Sequence, residues 1–347
     1  MQLASDLVDR LPGVILVTGG SGFIGSAFLL SLVPQLPGVR FVNADRLTYA
    51  ANPLSLQSLE GNPNYAFRLL DIAEPMDVER VFEEERPDWV VHFAAESHVD
   101  RSILGPAEFV RTNVVGTFNL LEAARKRWAS SGHLFHHIST DEVFGSLGET
   151  GKFSETTPYD PSSPYSASKA ASDHLAMAYH RTYGLPVRIT NCSNNYGPRQ
   201  NPEKMIPTMI LAAADGRALP VYGEGKNVRD WLYVDDHIDA IWQVATRGRN
   251  GETYCVGGDC ERTNLDLVRA LCGVVDRRLG RPEGAGLKQI TFVPDRPGHD
   301  FRYAIDTSKI ERELGWKAMH SFERGLDATV AWYLRNPEWI ASARARA

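Results

Sequence analysis

The chain has 347 residues, a formal net charge of −6 and 43% hydrophobic residues, which is typical of a globular protein with a substantial core. The acidic balance argues against nucleic acid or a membrane surface as the main partner, so an anionic ligand would need a local pocket of positive potential. Four cysteines without a CxxC pair, and no apolar run of the ~18 residues that a membrane span needs, predict reduced thiols and a cytoplasmic protein.

The first half of the chain alternates short β-rich runs with segments of helical spacing. We expect helices within 23–35, 76–85, 117–130 and 163–184, because apolar residues recur there every three or four positions. The remaining runs favour strands at "VILVTGG" (14–20), "VRFVNAD" (39–45), "YAFRLLDI" (65–72), "WVVHFAA" (89–95), "HLFHHIST" (133–140) and "PVRITNCS" (186–193). This alternation, with mostly apolar strands, predicts an α/β fold with a doubly wound parallel sheet of the Rossmann type.

The composition changes near residue 194, where "NNYGPRQNPEKMIP" is rich in Pro, Asn and Gly and the later elements become shorter. We therefore expect two domains. Residues 1–193 would form the sheet domain, with parts of about 228–258 returning to it. Residues 194–347 would mainly form a smaller α/β lobe.

A glycine-rich stretch, "VTGGSGFIG" (17–25), follows the first predicted strand and opens the first predicted helix. Its GxxGxxG spacing gives room for a tight turn, backbone approach to a pyrophosphate and close helix packing at Gly19, Gly22 and Gly25. Asp45 ends the second predicted strand, where a carboxylate accepts hydrogen bonds from an adenosine ribose. This favours NAD over NADP, although Arg46 could instead meet a 2′-phosphate. Asp71 closes the third predicted strand and would contact the adenine.

Two adjacent acids, Asp141 and Glu142, follow an apolar strand in "STDEVFG" (139–145). Neighbouring acids in a loop are typical of a solvated turn or a helix N-terminus. The alternative is a functional pair, and the choice depends on the motifs that surround it.

"YSASK" places Tyr165 and Lys169 four residues apart, on one face of a predicted helix. A phenol with a pKa near 10 is a poor base at neutral pH, but a nearby ammonium and a positive nicotinamide ring would each favour the phenolate. The spacing therefore suits a hydroxyl that loses its proton while its carbon loses a hydride. Ser139 and Thr140 would stand on the neighbouring strand.

Over essentially its whole length, the chain resembles the extended short-chain dehydrogenase/reductase superfamily and, within it, the dTDP-glucose 4,6-dehydratase family. The motifs that carry this resemblance are "TGGSGFIG", "AAESHVDRSI", "STDEVFG", "YSASKA", "NCSNNYGPRQNPEKMIP", "GKNVRDWLYVDDH" and "DRPGHDFRYAID". Phe144 departs from the family, which more often has tyrosine there.

The resemblance implies a lyase that oxidises C4 of dTDP-glucose, eliminates water across C5 and C6, and returns the hydride to C6. Two carboxylates in different protonation states suit the elimination, because close like charges push their pKa values apart. The family implies Asp141 as the acid and Glu142 as the base; the sequence alone does not assign them. Thr140 would hydrogen-bond the C4 oxygen beside Tyr165, with Lys169 as the fifth catalytic residue.

The resemblance also carries over binding residues, with the sheet domain holding the NAD and the smaller lobe the nucleotide sugar. The NAD contacts would be Gly19, Gly22, Phe23, Ile24, Gly25, Asp45, Arg46, Leu47, Thr48, Asp71, Ile72, Ala94, Ala95, Ser97, Thr112, Tyr165, Lys169 and Asn195. The substrate contacts would be Ser97, Thr140, Asn194, Lys204, Met205, Pro220, Tyr222, Arg229, Asn264, Arg296 and His299.

Several of these residues have alternative structural interpretations. Arg229 would grip phosphate oxygens in a bidentate way, but it could instead pair with Asp230 or Asp235. Lys204 could be a solvated loop charge, and His299 could fix a turn. "VDDH" (234–237) resembles a metal cluster, but we expect it to cap the following helix and predict no metal site.

Two other functions remain as alternatives. A nucleotide-sugar 4-epimerase shares the fold, the NAD and the Tyr–Lys pair, but it needs only C4 chemistry and usually lacks the Asp–Glu pair. A catalytically silent NAD(H)-binding sensor would have no need to keep Tyr165, Lys169, Asp141 and Glu142. The resemblance further implies a homodimer through paired helices, and the sequence leaves thymine and uracil open, because one methyl group is worth only ~1–3 kcal/mol.

Overall fold

The fold is built around one parallel sheet, and the computed structural model describes residues 11–129, 131–295 and 300–346. The first part of the chain forms β1 (Val14–Thr18), α1 (Phe23–Leu32), β2 (Arg40–Asp45), β3 (Tyr65–Leu69), α2 (Pro75–Glu85), β4 (Trp89–His92), α3 (Val99–Leu104), α4 (Pro106–Phe109), α5 (Thr117–Arg127), β5 (Leu134–Thr140), α6 (Pro164–Tyr183) and β6 (Val187–Cys192). A π-helical segment, Val110–Gly116, joins α4 to α5.

The second part of the chain forms shorter strands between helices. Its elements are β7 (Asn194–Tyr196), α7 (Met205–Ala214), β8 (Leu219–Tyr222), β9 (Val228–Tyr233), α8 (Val234–Arg247), β10 (Glu252–Val256), β11 (Glu261–Thr263), α9 (Asn264–Arg278), β12 (Ile290–Val293), α10 (Ser308–Leu314), α11 (Phe322–Arg335) and α12 (Pro337–Arg344). Among the described residues, no helix is both long and apolar enough to cross a membrane.

The main sheet has seven strands in the order β3-β2-β1-β4-β5-β6-β10, and every neighbouring pair is parallel. The predicted doubly wound parallel sheet is therefore confirmed. The chain order reverses between β1 and β4, and ligands of such sheets bind outside the carboxyl ends of the strands at that point. The glycine-rich stretch lies there, directly after β1.

Both faces of the sheet are covered, as the apolar strands require. Ile15 and Val17 pack with Phe28 of α1 and Trp242 of α8 on one face. Leu16, which points the other way, packs in a second cluster with residues of α2, α5 and α6. The sheet is thus rigidly held on both sides below its carboxyl edge.

The smaller lobe has its own core and is tied back to the sheet. A three-stranded sheet, β11-β9-β7, and the pair β12-β8 pack with α7, α9, α11 and α12 around a core of buried residues that includes Ile210, Leu267, Leu326 and Trp339. Bridges from Arg302 to Leu147 and from Ile305 to Phe153 bring the late chain back to the loop after β5.

Several predicted strands are shorter than expected, and β3 is the one that matters for a predicted site residue. β3 ends at Leu69 rather than at residue 72, so Asp71 does not close a strand. Its Oδ1 accepts a hydrogen bond from the backbone N–H of Ala73 at 2.9 Å, which is the geometry of an Asx turn. This side chain–backbone bond starts the turn that leads into α2.

Candidate active site

The glycine-rich stretch forms a phosphate-sized cradle between β1 and α1. Gly19 has φ +71°, and a Cβ atom there would lie 2.6 Å from Cα of Ala94, so no other residue fits without a shift. A Cβ at Gly25 would collide with the carbonyl oxygen of Gly19. Gly22 is the N-cap of α1 and provides no side-chain cap, which leaves the first N–H groups of the helix directed at the cleft. These features suit a bound pyrophosphate.

Asp45 stands at the end of β2 beside this cradle. Its carboxylate accepts hydrogen bonds from the backbone N–H groups of Ser21 at 2.9 Å and Leu47 at 2.7 Å. Burial raises its pKa, and these two bonds and the charge of Arg46 oppose the rise. The carboxylate is therefore fixed in place where a ribose would lie.

Arg46 is surrounded by acids. Its guanidinium lies 3.1 Å from Asp71, 3.6 Å from Glu96 and 3.6 Å from Glu108. Asp71 also pairs with Arg111 at 2.9 Å. The charge of Arg46 is balanced within the protein, so the site favours a ribose hydroxyl over a 2′-phosphate.

Tyr165 and Lys169 lie in the first two turns of α6 and line the same cleft, beside the end of β5. Lys169 is only 4% exposed, and its Nζ donates a hydrogen bond to the backbone carbonyl of Ile138 at 2.9 Å. Thr140, the last residue of β5, lines the cleft beside them. The helix and the strand thus bring these three side chains together.

The protein alone keeps Tyr165 protonated. Burial raises its pKa well above the ordinary value, and the charge of Glu142 raises it further. Burial also lowers the pKa of Lys169. The predicted phenolate therefore needs positive charge beyond that of the residues around it.

Asp141 and Glu142 begin a short 3₁₀ helix, Asp141–Phe144, that follows β5 directly. The Thr140 hydroxyl caps this helix by accepting the N–H of Glu142 at 3.2 Å. The pair is thus at a capped helix N-terminus, as the structural interpretation expects, and it also lines the cleft. The structural interpretation, a helix N-terminus, and the functional interpretation, a catalytic pair, are therefore compatible, because the same turn begins the helix and faces the cleft.

The two acids have different surroundings. Asp141 is 1% exposed, and its Oδ2 has no hydrogen-bond partner among the described residues. Burial raises its pKa well above the ordinary value, and the charges of Glu142 and Asp230 raise it further. Glu142 is partly exposed to the cleft. The structure therefore favours a protonated Asp141.

One cleft brings most of the predicted site residues together. The predicted NAD contacts that line it are Gly19, Gly22, Phe23, Ile24, Gly25, Asp45, Arg46, Thr48, Asp71, Ile72, Ala94, Ala95, Ser97, Thr112, Tyr165, Lys169 and Asn195. The predicted substrate contacts that line it are Ser97, Thr140, Asn194 and Lys204. Lys204 is not a solvated charge, because its Nζ donates to the carbonyl of Ser97 at 2.9 Å.

Other predicted residues lie away from the cleft lining. Leu47, with φ +57°, is held through its backbone by Asp45. Five predicted substrate contacts of the smaller lobe are described by the structure but do not line the cleft; they are Met205, Pro220, Tyr222, Arg229 and Asn264. Arg296 and His299 are outside the described residues.

Arg229 is bound by backbone rather than by the acids that its alternative interpretation names. Its guanidinium donates to the carbonyl of Asp300 at 2.9 Å and to that of Val228 at 2.8 Å. It also lies 4.3 Å from the ring centre of Tyr303. Asp230 instead accepts the N–H groups of Gly258 and Cys260.

The acids of "VDDH" have a different task from the predicted helix cap. α8 starts without a side-chain cap, and Asp236 accepts from the Nδ1 and the backbone N–H of His320 at 2.8 and 2.9 Å. This ties α8 to the segment before α11. The cap prediction for this motif is wrong because a distant histidine binds the carboxylate.

Sequence reasoning missed several residues of the cleft, which are Glu96, Cys192, Ser193, Gln200, Asn201 and Glu203. Most follow the carboxyl end of a main-sheet strand or stand beside a predicted contact. The signal that could have identified them is their place in the sequence after β4 and β6, because ligands bind outside the carboxyl ends of parallel strands.

The sheet order, the glycine cradle and the Tyr–Lys pair on α6 define an extended short-chain dehydrogenase/reductase. The sequence model of the GDP-mannose 4,6 dehydratase family matches residues 16–329. A dTDP-glucose 4,6-dehydratase of Xanthomonas campestris pv. campestris (strain B100) is 57% identical over 332 residues, which cover 94% of each chain. One from Neisseria meningitidis serogroup B is 55% identical over 336 residues, again 94% of each chain.

Solved structures agree with these relatives. The dTDP-glucose 4,6-dehydratase DesIV from Streptomyces venezuelae, with NAD and TYD bound, has a TM-score of 0.86 and 46% identity, covering 95% of this chain and 99% of that one. The UDP-glucose 4-epimerase of Thermotoga maritima, with UDP-glucose, has a TM-score of 0.83 at 29% identity, covering 93% and 99%. The chain belongs to the dTDP-glucose 4,6-dehydratase family.

Proposed function

We propose that this protein is an NAD-dependent hydro-lyase that converts dTDP-glucose to dTDP-4-keto-6-deoxyglucose. The observation that carries the proposal is the Asp141–Glu142 pair, one acid buried and one facing the cleft, beside Tyr165. The high identity to dTDP-glucose 4,6-dehydratases over nearly the whole chain supports it. A 4-epimerase would have no use for the second carboxylate.

The cleft fits NAD. Gly19 and Gly25 leave space that any Cβ would fill, the N-terminus of α1 faces a pyrophosphate, and Asp45 stands where the ribose would lie. When bound, NAD supplies the oxidising power for C4 and the reducing power for C6. The balanced charge of Arg46 supports NAD rather than NADP.

The chain's own residues divide the proton transfers. Tyr165, oriented by Thr140 and supported by Lys169, accepts the proton of the C4 hydroxyl. Glu142 removes the C5 proton, which the new C4 ketone acidifies. Protonated Asp141 donates to the departing C6 hydroxyl, so that it leaves as water.

The rest of the assignment concerns the substrate, the domains and the assembly. Asn194 and Lys204 would hold the nucleotide sugar at the cleft, and Arg229, Asn264 and the segment of Arg296 and His299 would complete that site from the smaller lobe. Residues 1–193 would form the NAD-binding domain and 194–347 mainly the sugar-nucleotide lobe.

We also propose that the protein is a cytoplasmic homodimer. The exposed apolar side chains of Val115, Phe118 and Tyr183, on the surface next to α5 and α6, support the dimer.

The direct test is mass spectrometry of dTDP-glucose deuterated at C4 after incubation with the protein. We expect the product to lose one water and to keep the deuterium, now at C6. A product of unchanged mass that co-elutes with the galactose isomer would establish an epimerase. An unchanged substrate, with NAD tightly bound, would favour the silent sensor.

Glu142→Gln tests the division of roles. We expect dehydration to slow by about 10²–10⁴-fold, because the general base is lost, while C4 oxidation persists. Glu149→Gln changes an exposed glutamate of the following loop and is the matched control. Dehydration at the wild-type rate in Glu142→Gln would refute this role.

A further inference from the structure

Three titratable side chains, those of Lys169, His137 and Asp173, form a row between α6 and β5. Nε2 of His137 is 3.1 Å from Oδ1 of Asp173 and 3.5 Å from Nζ of Lys169. All three residues are almost completely buried, at 0%, 1% and 4% exposure. Sequence reasoning assigned no function to His137 or Asp173.

His137 is a neutral spacer in this row. Burial and the charge of Lys169 lower its pKa to about 4. A neutral ring carries one N–H and one lone pair, so Nε2 either donates to the Asp173 carboxylate or accepts from the Lys169 ammonium. The ring is uncharged in both tautomers, and its Nδ1 has no hydrogen-bond partner among the described residues. The only negative charge of the row is therefore that of Asp173.

Asp173 is held in its ionised form by a shell of donors. Its Oδ2 accepts from the hydroxyl of Ser139 at 2.9 Å, the phenol of Tyr159 at 2.9 Å and the side-chain amide of Asn191 at 3.1 Å. Burial alone would raise its pKa, but the contacts with His137 and Ser139 and the charge of Lys169 lower it overall. A buried carboxylate with this many donors is built to stay charged.

Lys169 needs such a partner. Removing an ammonium from water disfavours its charged form strongly unless an opposite charge is close. The charge of Asp173 is the larger influence that raises its pKa against burial, and the thiol of Cys192 is neutral because burial raises the pKa of Cys192 to about 12. The other titratable groups that face this row are His92 of β4, Cys192 of β6 and Tyr159 of the loop before α6, and Tyr165 lies one turn before Lys169 on α6.

We propose that Asp173 is a positioning residue for the reaction, the buried counter-charge that acts across His137 to keep Lys169 cationic and in place beneath Tyr165. The inference rests on the proposed function for its catalytic consequence, since Lys169 supports proton transfer at Tyr165. The charge of Lys169 itself can be measured without turnover.

The test is an NMR titration of protein labelled with ¹³C at the lysine Cε. The chain has eight lysines, few enough to assign the Lys169 signal with a Lys169→Met variant. In Asp173→Asn we expect the Lys169 midpoint to fall by about one pH unit or more, because a nearby opposite charge is worth 1–3 units. Asp276→Asn is the matched control, since Asp276 is an equally buried carboxylate in the other lobe, bound by the N–H of Gly286.

The outcomes separate the two proposals. A fall of the Lys169 midpoint in Asp173→Asn but not in Asp276→Asn supports the counter-charge, and an unchanged midpoint refutes it. Should Asp173→Asn not fold, the wild-type titration decides, because a Lys169 midpoint below about pH 7 would mean that the ammonium is not kept cationic and would refute the role. In turnover of dTDP-glucose, Asp173→Asn should lower kcat by about tenfold or more with KM within about twofold. If the wild-type protein does not turn over dTDP-glucose, but the Lys169 midpoint still falls in Asp173→Asn, the dehydratase function is refuted and the counter-charge role is supported.

Discussion

Asp45 and Arg46 are neighbours in the chain, but the fold treats their charges differently. Asp45 faces the cradle with its carboxylate fixed by two backbone N–H groups. Arg46 has its charge balanced by Asp71, Glu96 and Glu108. The sequence shows an acid and a base side by side. The acids around Arg46 balance its charge, so Asp45 is the residue that selects NAD over NADP.

For Asp45→Ala we expect the affinity for NAD⁺ to fall by about 10–100-fold, since one hydrogen bond to a charged group is worth ~1.5–3 kcal/mol. Affinity for NADP⁺ should stay poor, because Arg46 remains paired. Calorimetric titration of protein freed of nucleotide measures both. Tight NADP⁺ binding by the variant would contradict the balanced-charge argument.

How far the site could be predicted is clear at Asp141 and Asp173. The Asp141–Glu142 pair is visible as two adjacent letters, and family resemblance assigns the roles. The raised pKa of Asp141 depends on burial and on Asp230, which lies far along the chain, so sequence could not supply it. In the sequence, Asp173 cannot be told from any other acid on a helix, because its contacts with His137 and Asn191 exist only in the folded structure.

Among the elements, α6 carries the most chemistry, and its start is well defined. Ser163 accepts the N–H of Ser166 at 3.0 Å, and the hydroxyl of Ser166 accepts the N–H of Ser163 at 3.0 Å. This capping box sets the first turn, and Tyr165 is the second residue of the helix. The cap therefore fixes the direction of the Tyr–Lys face.

We expect Ser163→Ala to lower the free energy of unfolding by about 1 kcal/mol, the usual effect of losing an N-cap. Turnover should also slow several-fold, since Tyr165 lies in the frayed turn. Ser321→Ala removes the corresponding cap of α11, where Ser321 accepts the N–H of Arg324, and should lose similar stability with normal turnover. Urea unfolding and steady-state rates distinguish the two; equal rates in both variants would show that the cap of α6 does not position Tyr165.

The regular elements of the sheet domain could be predicted well, and its irregular ones could not. The six predicted strands correspond to β1–β6, because buried strands are apolar runs between turns. The π-helical segment before α5 has no such signal, since its side chains follow no distinct period. β10 lies within the range of about 228–258 that we expected to return to the sheet domain, but "ETYCV" was not predicted as a strand, because its strand signal lies in its pairing with β6.

Over the whole molecule, four buried histidines make stability depend on pH. They are His92, His136, His137 and His237, and burial lowers the pKa of each. The unfolded chain binds protons on these rings below pH ~6.5, while the folded protein does not, so stability falls as the pH falls through this range. The window extends from about 6.5 down to about 4 for His137.

We therefore expect the free energy of unfolding to fall steeply between pH 7 and 5.5, by about 1.4 kcal/mol per histidine for each pH unit below 6.5, and the midpoint of urea unfolding to fall with it. His136→Leu should make this dependence shallower by about one proton, because neither ring nitrogen of His136 has a hydrogen-bond partner among the described residues. A midpoint that is constant across this range would contradict the prediction.

The return of late segments to early ones has a consequence for synthesis on the ribosome. The cradle, Asp45 and the Tyr–Lys helix are made first, but β10 completes the sheet only after residue 256 has emerged. The bridges from Arg302 and Ile305 to the loop after β5 form later still. Since domains made from the N-terminus fold as they emerge, the half-made sheet has an open edge at β6 for part of translation. The growing chain thus has a vulnerable interval, and the rate at which residues 193–256 are translated sets its length.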